Sequence, residues 1–176
     1  MALLEVLTYP DPRLREKSVP VEKVDDGVRS LVKDMFETMY QSEGVGLAAP
    51  QVGVTQRIIV VDCGPRGEED EVRPLKPVEP RAIINPEVVK KEGKITWEEG
   101  CLSVPGYTEE VERAGQIEVR GLDTNGEPIH FEAEGLLAVC IQHEIDHLEG
   151  VLFVDRLSRL KQSMFKKRAQ KEAATV

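Results

Sequence analysis

His143 and His147, two of the three histidines in the chain, stand four residues apart in His143-Glu144-Ile145-Asp146-His147. At about 100° per residue, a helix brings such a pair round to within about 40° of each other. Two imidazoles on one face can then share a metal ion. Glu144 lies one step off that face, close enough to act as a base without itself being a ligand. The chemistry this spacing points to is metal-assisted hydrolysis. The competing reading is a pair of ordinary helix histidines with Glu144 in solvent.

A mononuclear hydrolytic site takes three protein ligands and leaves one position for water. No further histidine follows the pair, so the third donor comes from elsewhere in the chain. His130 falls in the strand of an expected hairpin and reads as a surface residue. Cys101 is the better candidate. It lies in Glu98-Glu99-Gly100-Cys101-Leu102-Ser103-Val104-Pro105-Gly106, where Gly100 allows close backbone approach and the prolyl turn fixes a loop. A coordinated thiol is a thiolate, so one cysteine with two histidines leaves a divalent ion a single net positive charge and room for a water. Leu136, Val139 and Cys140 precede His143 by seven, four and three residues and share its face. They either wall an apolar pocket beside the reacting centre or pack against strands. Glu99 and Asp146 are candidates to hold a histidine tautomer or to pair with Arg113. Cys63 reads as a small buried hydrophobe.

The elements that position these residues form an α+β pattern. Pro10, Pro12 and Pro20 keep residues 3–24 extended. A helix capped by Asp25 or Asp26 carries Val28, Leu31, Val32, Met35, Phe36 and Met39 at helical spacing, until Gly44 stops it. Strands are expected at residues 56–62, 81–84, 87–96 and 116–122, and Asn125-Gly126 turns the chain into another at 127–131. Residues 64–80 are charged and rich in proline and glycine, and read as a surface loop rather than a lid. The metal helix is expected to start near residues 131–134 and to end at Gly150. The sum is mixed or antiparallel β-sheets packed around a central metal-binding helix, with an N-terminal helix and a basic C-terminal one.

Composition narrows the classes. With 40% apolar residues among 176, the chain can bury one core, so residues 1–176 are expected to form a single domain. Its apolar runs are too short to span a bilayer, and the expectation is a cytoplasmic protein with no membrane partner. Three cysteines without framework spacing argue for thiols or ligands over disulfides. The net charge of −9 hides a basic tail: Arg156, Arg159, Lys161, Lys166, Lys167, Arg168 and Lys171 occur with no acidic residue among them. Residues 156–176 thus read as a basic helical extension, either solvated or a handle for phosphate-rich surfaces, on an acidic body unsuited to DNA.

Three segments occur in fixed order: Gly44-Val45-Gly46-Leu47-Ala48-Ala49-Pro50-Gln51, then Glu99-Gly100-Cys101-Leu102-Ser103-Val104-Pro105-Gly106, then Gln142-His143-Glu144-Ile145-Asp146-His147-Leu148-Glu149-Gly150. Together they closely resemble the signature motifs of peptide deformylases, and the likeness extends from about residue 25 to residue 157. The resemblance implies one divalent metal ion on Cys101, His143 and His147, Fe²⁺ by family and Zn²⁺, Ni²⁺ or Co²⁺ as substitutes. It implies Glu144 as the catalytic carboxylate, and Gln51 with the backbone N–H of Leu102 as donors to an oxyanion. Gly46 would pair with substrate backbone, while Val45, Leu136, Val139 and Cys140 would receive a methionine side chain. The substrates implied are N-formylmethionyl nascent peptides, with formate released. Relatives dock on the ribosome through a C-terminal helix, which suits contact between residues 156–171 and ribosomal RNA. Tyr107-Thr108-Glu109 stands where some relatives carry an arginine, so no preference beyond methionine is implied. The rival classes are a zinc metallopeptidase, disfavoured by a cysteine ligand, and a non-catalytic module with a structural metal, which would need a fourth ligand.

Overall fold

The computed structural model describes residues 3–65 and 75–174. The first helix, α1 (Asp26–Gln41), starts where Asp25 accepts the N–H of Val28 at 3.0 Å. It buries Val28, Val32, Met35 and Met39, the stripe that its helical spacing predicts. Then come β1 (Gly46–Ala48), β2 (Ile58–Asp62), β3 (Pro80–Glu92), β4 (Ile95–Cys101), β5 (Val104–Arg113), β6 (Gln116–Leu122) and β7 (Pro128–Glu134). The chain continues through α2 (Gly135–Leu148) to α3 (Arg159–Ala174).

Five strands form one sheet in the order β1-β2-β3-β6-β7, and β4 pairs with β5 in a separate hairpin. Among the described residues every ladder is antiparallel, and a parallel contact occurs as an isolated bridge between Val19 and Gln56. β2 explains how two helices can flank this sheet. All five of its residues are buried, and because side chains alternate along a strand, Ile58 and Val60 face a core with α1 while Ile59 and Val61 face a core with α2. A helix packed this way has little solvent face, and α2 carries Ala138, Val139, Ile141 and Leu148 fully or almost fully buried. A third cluster joins the hairpin to the N-terminal segment and α3 through Leu14, Val104, Val111, Phe153 and Phe165.

Three expectations from sequence are corrected. The strand expected at residues 87–96 is two strands, because the chain turns at Gly93, which has a positive φ of 66°. Residues 131–134 belong to β7 rather than to the metal helix, since Phe131, Glu132, Ala133 and Glu134 all pair with β6. The loop expected around Cys101 is the end of a hairpin whose register shifts between Glu99 and Cys101. Of the expected loop at 64–80, residues 66–74 lie outside the described residues.

Candidate active site

Two periodicities meet at the centre of the molecule. Along β4, Glu99 and Cys101 are two residues apart and face the same way; along α2, His143 and His147 share a face. The elements therefore meet in two rungs. Glu99 Oε1 lies 2.8 Å from His143 Nδ1, and Cys101 Sγ lies 3.3 Å from His147 Nε2. The two Nε2 atoms stand 3.2 Å apart, and the three donor atoms lie within 4.8 Å of one another.

This arrangement fits a metal ion. Bonds of about 2.05 Å to nitrogen and about 2.3 Å to sulfur in a tetrahedron put neighbouring donors about 3.3 and 3.6 Å apart, close to the two short separations. Glu99 holds Nδ1 of His143, which turns the Nε2 lone pair inward. Charge is also arranged for a cation. Burial opposes a proton on His143, but hydrogen bonds to Cys101 and Glu99 outweigh it and raise its pKa well above the usual histidine value. Burial, with the charge of His143 beside it, drives His147 well below. The pocket thus favours one positive charge among these donors. Among the described residues only these three converge, which leaves the set one short of a closed structural site.

Behind the donors lies a buried ion-pair network. Arg113 donates from Nε and Nη2 to Glu99, both at 2.8 Å, and from Nη1 to Asp146 at 2.6 Å. Arg156 donates to the outer side of Asp146. Burial would raise the pKa of Glu99, yet its bonds to Arg113 and His143 hold it below the ordinary carboxylate range. Glu99 is therefore a fixed anion under His143, while Asp146 orients Arg113 and does not touch a histidine ring.

Glu144 is 3% exposed, and burial pushes its pKa up to about 7. Its Oε1 is 3.7 Å from His143 Nε2, and its Oε2 has no hydrogen-bond partner. A Cβ on Gly46 would come within 3.1 Å of Glu144 Cγ and Cδ, so the absent side chain there leaves the space that the carboxyl occupies. Gln51 is equally fixed. Its Oε1 accepts the N–H of Ala48 at 2.9 Å, which aims Nε2 toward Ser103 Oγ at 3.0 Å and Cys101 Sγ at 3.5 Å. A cavity of about 430 Å³ opens over these groups. Its lining includes Val45, Gly46, Leu136, Val139 and Cys140 together with Gln51, Cys101, Leu102, His143 and Glu144.

His130 is not part of the site: it is exposed on β7 with Nε2 2.6 Å from Glu118. Cys63 is only partly buried, not the fully buried residue expected. Sequence reasoning passed over Ser103, which is wholly buried and anchors Gln51 through Oγ and the N-terminal segment through its carbonyl. Its place within Cys101-Leu102-Ser103 was the available signal. Trp97 also borders the cavity unannounced, beside Tyr107 and Thr108 of the segment where some relatives carry an arginine. In α3, Phe165 docks against Tyr9 and Tyr107, while Leu160 and Met164 are 71% and 59% exposed.

The family model for polypeptide deformylase matches residues 3–163. The chain is 53% identical to the peptide deformylase of Alkalilimnicola ehrlichii, over 97% of this chain and 91% of that one. It is 52% identical to that of Neisseria gonorrhoeae, over 97% and 96%. Among solved structures it resembles the Legionella pneumophila peptide deformylase, with a TM-score of 0.85, 45% identity and coverage of 99% and 97%. It likewise resembles the Ehrlichia chaffeensis peptide deformylase in complex with actinonin, with a TM-score of 0.85, 46% identity and 98% of each chain covered. No helix among the described residues is long and apolar enough to cross a membrane. A donor triad beside a buried carboxyl, on a chain matched almost end to end by such relatives, leads to one conclusion: this protein belongs to the polypeptide deformylase family, metal-dependent hydrolases that remove the formyl group from the N-terminal formylmethionine of newly made polypeptides.

Proposed function

We propose that residues 1–176 act as one catalytic domain in which Cys101, His143 and His147 hold the metal and Glu144 moves the proton. The observation that carries this reading is the juxtaposition of three converging donors with a buried carboxyl whose pKa stands at about 7. A divalent ion on this set supplies a Lewis acid and brings the pKa of a water toward neutrality. Glu144 accepts the proton of the water that attacks the formyl carbon. Near neutral pH a group with that pKa takes up and gives back a proton at little cost, so the same carboxyl protonates the departing amine. Formate and a free amino terminus result. Gln51 Nε2, locked by Ala48, and the N–H of Leu102 donate to the oxyanion as it forms; one such donor is worth about 3–4 kcal/mol of barrier. Gly46 pairs with the substrate backbone, and Val45, Leu136, Val139 and Cys140 enclose the methionine side chain.

One thiolate and two imidazoles accept several first-row ions; the family resemblance supports Fe²⁺ as the resident one, with Zn²⁺, Ni²⁺ or Co²⁺ able to replace it. The site of action is the cytoplasm, where nascent chains emerge. The exposed Arg159, Lys166, Lys167 and Lys171, beside Leu160 and Met164, support contact of α3 with ribosomal RNA. Ribosome pelleting that weakens with salt and with removal of residues 159–176 supports that contact, and pelleting indifferent to both removes it. The decisive test of the chemistry is formate release from a short formyl-methionyl peptide by metal-loaded protein. Glu144→Gln should lower kcat about 10²–10⁴-fold with metal content unchanged; full activity in that variant would refute the role of Glu144.

A further inference from the structure

We propose that Ser103 is a positioning residue for the hydrolysis: together with the N-terminal segment it fixes the plane of the Gln51 amide, so that one N–H stays anchored and the other is given to the oxyanion. The proposal rests on the reading of Gln51 as an oxyanion donor.

A side-chain amide has one acceptor oxygen and two N–H donors in one plane. In Gln51 all three are engaged. Oε1 accepts the N–H of Ala48 at 2.9 Å, and Nε2 lies 3.0 Å from Ser103 Oγ and 3.5 Å from Cys101 Sγ. A backbone N–H can only donate, so the contact with Ala48 settles which end of the amide is oxygen. That contact is local and by itself leaves the amide free to swing about Oε1. The bond to Ser103 comes from 52 positions away and supplies the second fixed point. The remaining N–H then has one direction, toward the sulfur that borders the cavity. Sulfur is a weak acceptor, whereas an anionic oxygen is among the strongest. As charge develops on the formyl oxygen, the N–H on Cys101 is the one that transfers, and the N–H on Ser103 stays.

Ser103 is itself held. It is wholly buried, and its carbonyl accepts the N–H of Tyr9 at 2.7 Å, while the carbonyl of Gln51 accepts the N–H of Leu7 at 2.7 Å. A single two-residue step of the N-terminal segment thus ties the main chain of the donor to that of its holder. Leu7 is buried in the cluster with Leu14, Val104 and Phe153, so this strap is part of the core. A serine that only filled space could become alanine at no catalytic cost; one that aims an amide could not.

The test is a double-mutant cycle in full-length, metal-loaded protein. It is read by formate release from a short formyl-methionyl peptide, with metal content and thermal melts on the same preparations. Gln51→Ala should lower kcat about 10²–10³-fold. Ser103→Ala keeps the amide but frees it to swing, and should lower kcat about tenfold with KM and metal content unchanged. Ser103→Cys keeps the shape and offers a weaker acceptor; it should fall between wild type and Ser103→Ala, and it carries the comparison if Ser103→Ala does not fold. The double variant separates aiming from packing. Because Ser103 acts through Gln51, its kcat should match that of Gln51→Ala alone within about twofold. Full kcat in Ser103→Ala, a loss that appears in KM instead, or a double variant whose loss is the product of the two single losses would each overturn the proposal. Wild-type kcat in Gln51→Ala would overturn the reading of Gln51 first, and this proposal with it.

Discussion

Gly46→Ala isolates the placement of Glu144. The added Cβ would stand 3.1 Å from Glu144 Cγ and Cδ and 3.3 Å from Oε1, where carbon contacts are comfortable at about 3.5–4.0 Å. The carboxyl must retreat by about half an ångström. A displacement of 1 Å in a catalytic constellation can cost about 10²-fold, so a shift of half that size is expected to lower kcat about tenfold. Gly46 does not have a positive φ, and its backbone accepts alanine without strain. Losing a glycine reduces the freedom of the unfolded chain by about 0.4–1 kcal/mol, so Tm should hold or rise slightly. The assay is steady-state formate release beside a thermal melt and metal analysis on the same preparation. A rise in KM alone would mean that the methyl obstructs substrate and leaves Glu144 undisturbed. An unchanged kcat would refute the claim that this carboxyl is held in place by the space above Gly46.

Other perturbations reach the surrounding layers. Arg113→Met strands Glu99 and Asp146 without their buried cation; breaking such a pair costs about 3–5 kcal/mol, a fall in Tm of roughly 10 °C for a chain of this size, and an unchanged melting curve would contradict the network. Removing the metal with a strong chelator should abolish formate release and lower Tm, and Cys101→Ser should retain little metal by elemental analysis; a stoichiometric ion in Cys101→Ser would place the site elsewhere. Asp62 carries a pH signature. Burial alone would raise its pKa, but backbone N–H groups of Val78, Glu79 and Gly64 and the Tyr40 hydroxyl lower it overall. Its contribution is therefore present above the unfolded value of about 3.9 and is lost as pH falls through the lower folded value. Asp62→Asn should be less stable at neutral pH and should close the gap to wild type in acid, as followed by denaturant melts across pH; a gap independent of pH would exclude this ionisation.

The parts of the fold visible in the sequence are those where one physical signal acts alone. α1 is amphipathic and capped by an aspartate, so spacing and cap agree on it. β2 is a short apolar run, and burial on both faces by two helices is what such a run requires. The hairpin that carries Cys101 was missed because it breaks that logic. Glu99, its most buried side chain in β4, is a carboxylate, acceptable inside only because Arg113 meets it from the paired strand. No periodicity of apolar residues can announce a strand whose inward positions are occupied by charge.

The site was legible for a related reason. Helical spacing alone brings His143 and His147 together, and a strand needs only the two-residue step from Glu99 to Cys101, with Gly100 between them, to aim both at α2. Each half is local, so each leaves a mark in the sequence. What joins the halves is not local: Asp146 reaches Arg113 across 33 positions, and Gln51 reaches Ser103 across 52. Ser103 therefore looked like a loop residue although it holds the amide that faces the reacting centre. The same distinction separates the cysteines. Cys101 is marked by its motif, whereas the packing of Cys63 against the cluster that contains Cys140 depends on how β2 ends against α2. Such contacts exist only once the sheet is assembled, and they are where function beyond the shared family chemistry has room to differ from one member to the next.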